Sequence, residues 1–353
     1  MGEWGTAGYG IGAVGAGFIM KDIHLVAYGE AGYDVVAIAS RRRESAAAAA
    51  AERGIATVYD TYQQLLDDPR VQIVDIAYPP HGQLEIVREA CKRPHIKGVL
   101  AQKPLASTLA DAIEIEKVCR ESGKVLAVNQ NMRFDQSMRA LKGLLDGGQM
   151  GTAVFAQIVM NARPHWQDYV KDYGRTAILN MSIHHLDCFR FLFGDPQRIY
   201  CSVRPDPSHD FPHTDGMGIS ILEYADGLRA VASDDCFTWA DGRIEWRVEG
   251  TEGIAKGTIG WPKYPDGAPS TIDYTLRSEN GAWHAPRWPE QWFPQAFIGT
   301  MGQLMKAIET GTEPEIGGRD NLRTMALVEA AYLSAQRGAA VELGEVLAEN
   351  GIA

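Results

Sequence analysis

The stretch "GAVGAGFIM", Gly12 to Met20, decides the reading of the first half of the chain. It follows an apolar run, Tyr9–Val14, that reads as a short strand, and it leads into a helical segment from Phe18 to about Gly32. Gly15 and Gly17 fit the first two glycines of a dinucleotide fingerprint. The first makes the tight turn, and the second lets a pyrophosphate approach the backbone at a helix N-terminus. Met20 stands where a third glycine would fall. The plainer alternative is a glycine-rich strand-to-helix turn with no ligand; the place of this turn in the chain's first strand–turn–helix unit favours the nucleotide site.

Outward from this turn, strand-like and helix-like segments alternate. "YDVVAIAS", "ATVYD", "VQIVDIAYPP", "GVLAQK" and "KVLAVNQN" read as strands, the third stopped by two prolines. "RRESAAAAAAERG", "TYQQLLDD", "LEIVREACKR" and "LADAIEIEKVCRESG" read as the helices between them. Near-continuous Val/Ile/Ala strands alternating with helices predict an α/β fold, a doubly wound parallel sheet covered on both faces. This dinucleotide-binding domain is expected over 1–131. The texture then changes over 132–353: a helix at "RFDQSMRALKGLLDGG", a strand at "TAVFAQIVMNARP", a helix near 178–193, then strands with turns at "ADG", "TEG" and "ENG". They predict an α+β domain with a large, mostly antiparallel sheet. Two helices, about Pro294–Glu309 and Asp320–Arg337, follow and are free to pack back on the first domain.

The 353 residues carry a net charge of −11, which argues against bulk binding to nucleic acid or an anionic membrane. An anionic cofactor therefore needs a local cationic site. Five scattered cysteines without a CxxC suit reduced thiols in a cytoplasm better than disulfides or zinc. No export signal is read in "MGEWGTAGYG", and no run of about 18 apolar residues marks a membrane span.

An NAD site usually places an acid at the end of the second strand to hold the ribose 2′-hydroxyl. Here that end reads Ser40-Arg41-Arg42-Arg43, with no carboxylate. Guanidinium groups suit a 2′-phosphate, so NADP(H) is favoured over NAD(H); the alternative is a solvated charge run opening the next helix.

Ligands of open α/β sheets bind beyond the carboxyl ends of the strands. Two segments stand at such ends: Tyr78-Pro79-Pro80-His81 and Gln102-Lys103-Pro104. Lys103 is thus expected beside the nicotinamide. In "LNMSIHHLD", Leu179 to Asp187, helical spacing puts Asn180 and His184 on one face with Asp187 a turn further, while His185 points about 100° away. A base with an orienting partner is one reading of that stripe. A metal site is not expected, because the two adjacent histidines do not share a face.

The ordered set "GAGFIMKDIHLVAY", "VVAIASR", "IAYPPH", "QKPLA", "NQNMRF", "IHHLD" with "FLFGDP", and "LVEAAYLSA" resembles the Gfo/Idh/MocA oxidoreductases over about residues 10–343. That family includes inositol dehydrogenases, glucose–fructose oxidoreductase and related sugar enzymes. The resemblance implies a Rossmann domain followed by a domain whose open sheet forms a homodimer or homotetramer contact. It implies that Lys103 is the catalytic lysine, with a cis bond to Pro104, and His184 the catalytic histidine. Gln102 then replaces a family glutamate and Asn180 a family aspartate.

Cofactor contacts are expected from Gly15, Gly17, Phe18, Ile19, Ser40, Arg41, Arg42, Tyr78, Pro79, Pro80, His81, Gln83, Gln102, Lys103, Asn131 and Arg133. Substrate contacts are expected from Lys103, Arg163, His165, Trp166, Tyr173, Asn180, His184 and His185. The aromatic-rich stretches "NARPHWQDYVKDYGR" and "GAWHAPRWPEQWF" suit sugar C–H faces, unless their tryptophans fill domain or subunit contacts. The implied reaction is hydride transfer between NAD(P) and a secondary alcohol or ketone carbon of a sugar or cyclitol. Alternatives are a glycosidase or lyase using transient sugar oxidation, and a catalytically silent sugar or nucleotide sensor.

Overall fold

The structure, a computed structural model, describes residues 8–163, 168–260 and 267–352. Contacts divide the chain into two compact units, Met1–Asn131 with Phe293–Leu322, and Met132–Trp292 with Arg323–Ala353.

In the first unit β1 (Ile11–Val14), α1 (Leu25–Ala31), β2 (Val35–Ala39), α2 (Arg43–Arg53), β3 (Val58–Tyr59), α3 (Tyr62–Leu66), β4 (Ile73–Ile76), α4 (Pro80–Cys91), β5 (Gly98–Ala101), α5 (Leu109–Glu121) and β6 (Val125–Val128) alternate. The six strands pair in parallel in the order β3-β2-β1-β4-β5-β6. Strands β1, β4 and β5 are buried at every position, which is why they read as apolar runs, broken only at Asp75 of β4. Local chemistry sets the helix ends. Thr61 and Gln64 form a capping box on α3, Thr108 caps α5, and Gly54, left-handed at φ 73°, closes α2. Pro80 does more than end a strand: it is the first residue of α4, where its missing N–H costs nothing. The segment before α1, Ile19–His24, is a π-helical turn, so the helix expected from Phe18 starts wider than an α-helix.

One polar residue interrupts the apolar strands. Asp75 on β4 is fully buried and lies 2.7 Å from His24 Nδ1, and it accepts a hydrogen bond from the Tyr28 hydroxyl at 2.7 Å. Nδ2 of Asn129 lies 3.0 Å from His24 Nε2. Burial, then the Asp75 carboxylate, push the Tyr28 hydroxyl well above its ordinary pKa, so it remains a donor. A buried polar group is tolerated where such partners meet it.

The second unit begins with α6 (Gln136–Asp146), β7 (Ala153–Asn161) and α7 (Ile183–Phe193). Strands β8 (Arg198–Arg204), β9 (Met217–Glu223), β10 (Arg229–Asp235), β11 (Arg243–Gly250), β12 (Gly253–Ile259), β13 (Thr271–Leu276) and β14 (Trp283–His284) follow. Helix α8 (Ala296–Thr310) belongs to the first unit, where it packs on β5 and β6. The unit boundary then falls inside α9 (Gly318–Arg337), and β15 (Val341–Glu342) and α10 (Leu343–Glu349) end the chain. The nine-stranded sheet runs β14-β13-β12-β11-β7-β10-β9-β8-β15, antiparallel except for the β7–β10 pair. Strand β8 alternates exposed and buried residues, as expected of a sheet with one covered face. Among the described residues no helix is long and apolar enough to cross a membrane.

Candidate active site

Strand order reverses between β1 and β4, and the turns leaving those two strands meet there. Gly15 has φ 115°, and a Cβ on it would lie 2.3 Å from the Ala77 carbonyl oxygen. No other residue type fits that turn. At Gly17 nothing lies within 4 Å of where a Cβ would be, so the backbone faces open space. This cradle fits a dinucleotide: a bare backbone turn leading into a helical run, with Phe18 half exposed at its rim. At the end of β2, Ser40 is half-buried and Arg41 and Arg42 are exposed. Arg43 pairs with Asp60, whereas Arg41 and Arg42 enter no ion pair among the described residues.

After β4 the chain runs through Tyr78 and Pro79 into α4. A Cβ on Gly82 would lie 2.6 Å from the Tyr78 ring, so the ring folds over the first turn of that helix, and His81 stays exposed. Gln83, expected to touch cofactor, is instead fully buried against main chain. Its Oε1 accepts the Gln102 N–H at 2.9 Å, and its Nε2 lies 2.9 Å from the carbonyl oxygens of Gln102 and Pro104 and 3.1 Å from that of Leu105. Gln102 Oε1 accepts the Lys103 N–H at 3.1 Å, and the Lys103–Pro104 peptide is cis. Lys103 keeps part of its surface accessible, yet loss of hydration at the ammonium lowers its pKa to about 8. Asn131, buried at the end of this unit, donates to the Asn129 carbonyl at 3.3 Å.

In the second unit a π-helical turn, Ile178–Ser182, runs into α7, and together they carry Asn180 and His184. Asp215 holds the start of that run. Its carboxylate accepts the N–H groups of Thr176 and Ile178 and the Tyr332 hydroxyl, and burial nevertheless raises its pKa to about 6. Asn180 donates from Nδ2 to the carbonyl oxygens of Arg175 and Thr176, both at 2.9 Å, and accepts the Tyr173 hydroxyl on Oδ1 at 3.1 Å. A carboxylate in that orientation would set an oxygen against two carbonyls, so the local backbone calls for the amide. His184 is buried with its ring edge-on to Trp292, the centroids 5.4 Å apart.

Three sequence expectations change here. Asp187 is not left to orient His184: it takes two 2.6 Å hydrogen bonds from Arg133 and one of 2.7 Å from Thr324. Arg133, expected at the cofactor, therefore commits Nε and Nη2 to a buried ion pair. His185, expected at the substrate, is fully buried with Nδ1 2.6 Å from Asp234 on β10, because the far face of α7 packs on the sheet. Arg163 is exposed and donates to the Ser208 hydroxyl, whereas His165 and Trp166 lie outside the described residues. Of the aromatic-rich stretches, Trp292 is core, and Trp283 is half exposed with the Lys256 ammonium 4.9 Å from its ring centre.

Comparison with known proteins bears on the whole arrangement. Residues 9–130 match a family model described as "Oxidoreductase family, NAD-binding Rossmann fold", and residues 138–256 match the "GFO/IDH/MocA C-terminal domain". A D-apiose dehydrogenase of Paraburkholderia graminis is 28% identical over 348 residues, 95% of this chain and 90% of that protein. A 1,5-anhydro-D-fructose reductase of Ensifer adhaerens is 28% identical over 344 residues, 94% of this chain and 98% of that one. A levoglucosan dehydrogenase solved with NADH and levoglucosan superposes with a TM-score of 0.83 at 19% identity, over 94% of this chain and 98% of that one, a likeness of fold. With the six-stranded parallel sheet, the β1–β4 cradle and both domain models in agreement, this chain belongs to the Gfo/Idh/MocA family of oxidoreductases.

Proposed function

We propose that this oxidoreductase moves a hydride between NADP(H) and a secondary alcohol or ketone carbon of a sugar or cyclitol. The observation that carries the reading is Lys103, fixed at the carboxyl end of β5 with an ammonium that loses its proton near pH 8. When bound, the nicotinamide accepts or supplies the hydride. His184 takes the proton of the reacting hydroxyl, as a neutral imidazole does near working pH. Lys103, protonated, binds that oxygen and stabilises the negative charge that grows on it. Asn180, its amide locked by Arg175 and Thr176, and Tyr173 behind it supply neutral hydrogen-bonding groups to the sugar. Relatives named as a D-apiose dehydrogenase and a 1,5-anhydro-D-fructose reductase support a carbohydrate substrate. Five free thiols support a cytoplasmic setting.

Burial is the one cause behind the lowered pKa of Lys103, and Gln102, where a glutamate would raise it, is neutral. Activity that needs the ammonium is therefore lost on the alkaline side as pH rises through about 8.

Absorbance at the NADPH band with a panel of sugars, inositols and glycosides, backed by product analysis, tests the reaction. Net NADP(H) turnover is expected, with kcat/KM falling above about pH 8. Lys103→Met is expected to lose about 10²–10³-fold in kcat while still binding NADPH. Near-normal turnover in that variant, or glycoside cleavage with no net NADP(H) change, contradicts the reading.

Arg41 and Arg42 support a 2′-phosphate. Nicotinamide fluorescence titration is expected to give tighter binding of NADPH than of NADH, and Arg42→Ala to narrow the gap by roughly tenfold, the worth of one charge-assisted hydrogen bond. Clearly tighter NADH binding contradicts it.

The outward face of the large sheet supports self-association. Tyr200 and Ile221 are cross-strand neighbours, and both are exposed with Ile219. Light scattering is expected to give two or four times the chain mass, reduced by Ile221→Lys; a monomeric wild type contradicts this.

A further inference from the structure

The ladder of β5 ends at Ala101: the Gln102 N–H still reaches the Ile76 carbonyl of β4 at 3.1 Å and is shared with Gln83, and residues 103–105 take no bond from a neighbouring strand among the described residues. Their main-chain groups turn to two amide side chains. Gln83, on the first turn of α4, takes the N–H of Gln102 and gives its Nε2 protons to the carbonyls of Gln102, Pro104 and Leu105. It has two protons for three carbonyls, so at least one is shared. Gln102 closes the remaining gap by accepting the Lys103 N–H. Main chain on both sides of Lys103 is thus anchored to one fully buried side chain.

We propose that Gln83 is a positioning residue for catalysis, holding residues 102–105 so that the Lys103 side chain leaves the backbone in its working direction. This rests on the reading of Lys103 as the catalytic ammonium. The carboxamide is matched to the task because it accepts one N–H and donates to carbonyls from the same plane. A carboxylate at this position would keep the first bond and lose the others; a hydrocarbon would lose all of them. Since α4 also starts at the Tyr78–Pro80 turn, Gln83 ties the two strand-end segments of this unit together.

Gln83→Met keeps the side-chain length and removes the hydrogen bonds. Steady-state kinetics on the folded full chain, with NADPH titration and thermal melting alongside, is expected to show kcat lowered about 10²-fold, the cost of misplacing a reacting group by about 1 Å. Sugar KM and NADPH affinity are expected to stay near wild type. Should Gln83→Met not fold, Gln83→Asn, which keeps the amide but withdraws it by one methylene, carries the same expectation. A folded variant with wild-type kcat overturns the proposal, as does a loss of activity accounted for by a smaller folded fraction. Lys103→Met separates the two levels. If that variant is inactive while the folded Gln83 variants are normal, the positioning role alone fails; if it turns over, the reading of Lys103 fails.

Discussion

A parallel sheet whose order reverses between β1 and β4 must send the two following turns to the same edge, and here they touch. Gly15 leaves no space for a side chain beside the Ala77 carbonyl, so the backbone itself forms the wall of the cradle. The neighbouring strand β5 ends one step away, in register with β4 from Ile73↔Gly98 to Ile76↔Ala101. The lysine that follows it is carried to the same edge by topology rather than by any attraction of its own. Topology brings it no further than that, and the hydrogen bonds of Gln83 and Gln102 set the last few ångströms.

Asn180 and Gln102, which the family resemblance sets against an aspartate and a glutamate, have local physical explanations. Asn180 stands where two main-chain carbonyls require a donor, and only an amide offers two protons there while keeping an acceptor for Tyr173. Gln102 gives its side-chain oxygen to the Lys103 N–H, a bond that glutamate could also make. The neutral amide differs in adding no negative charge that would raise the lysine's pKa against the lowering by burial.

Strands such as "VVAIAS" and "GVLAQK" were legible in the sequence because burial on both faces leaves an unbroken apolar run with clear turn residues at its ends. The stop of α2 at Gly54 was legible because a glycine cap is local. What sequence could not carry is which side chain meets which across the fold. Helical spacing placed Asp187 on the stripe of Asn180 and His184, but Arg133 and Thr324, distant in sequence, take its oxygens. The same holds for His185, whose partner Asp234 is 49 residues on, and for Gln83, whose partners are main-chain atoms that leave no mark in a sequence. Asp75, which interrupts a buried strand, was a visible signal of a polar core, although its partners His24 and Tyr28 were not. Strand β15 and helix α10 were too short to show a period.

Lys103 is held in a poorly hydrated position at the carboxyl end of β5, where burial lowers the pKa of its ammonium. NMR of protein labelled at lysine Cε reads this directly, with the wild type, Lys103→Met and Gln102→Glu titrated in parallel. One lysine signal is predicted to titrate near pH 8, to vanish in Lys103→Met and to move upward in Gln102→Glu. Wild-type lysines that all titrate near the ordinary value of about 10.4 would show Lys103 to be fully hydrated instead.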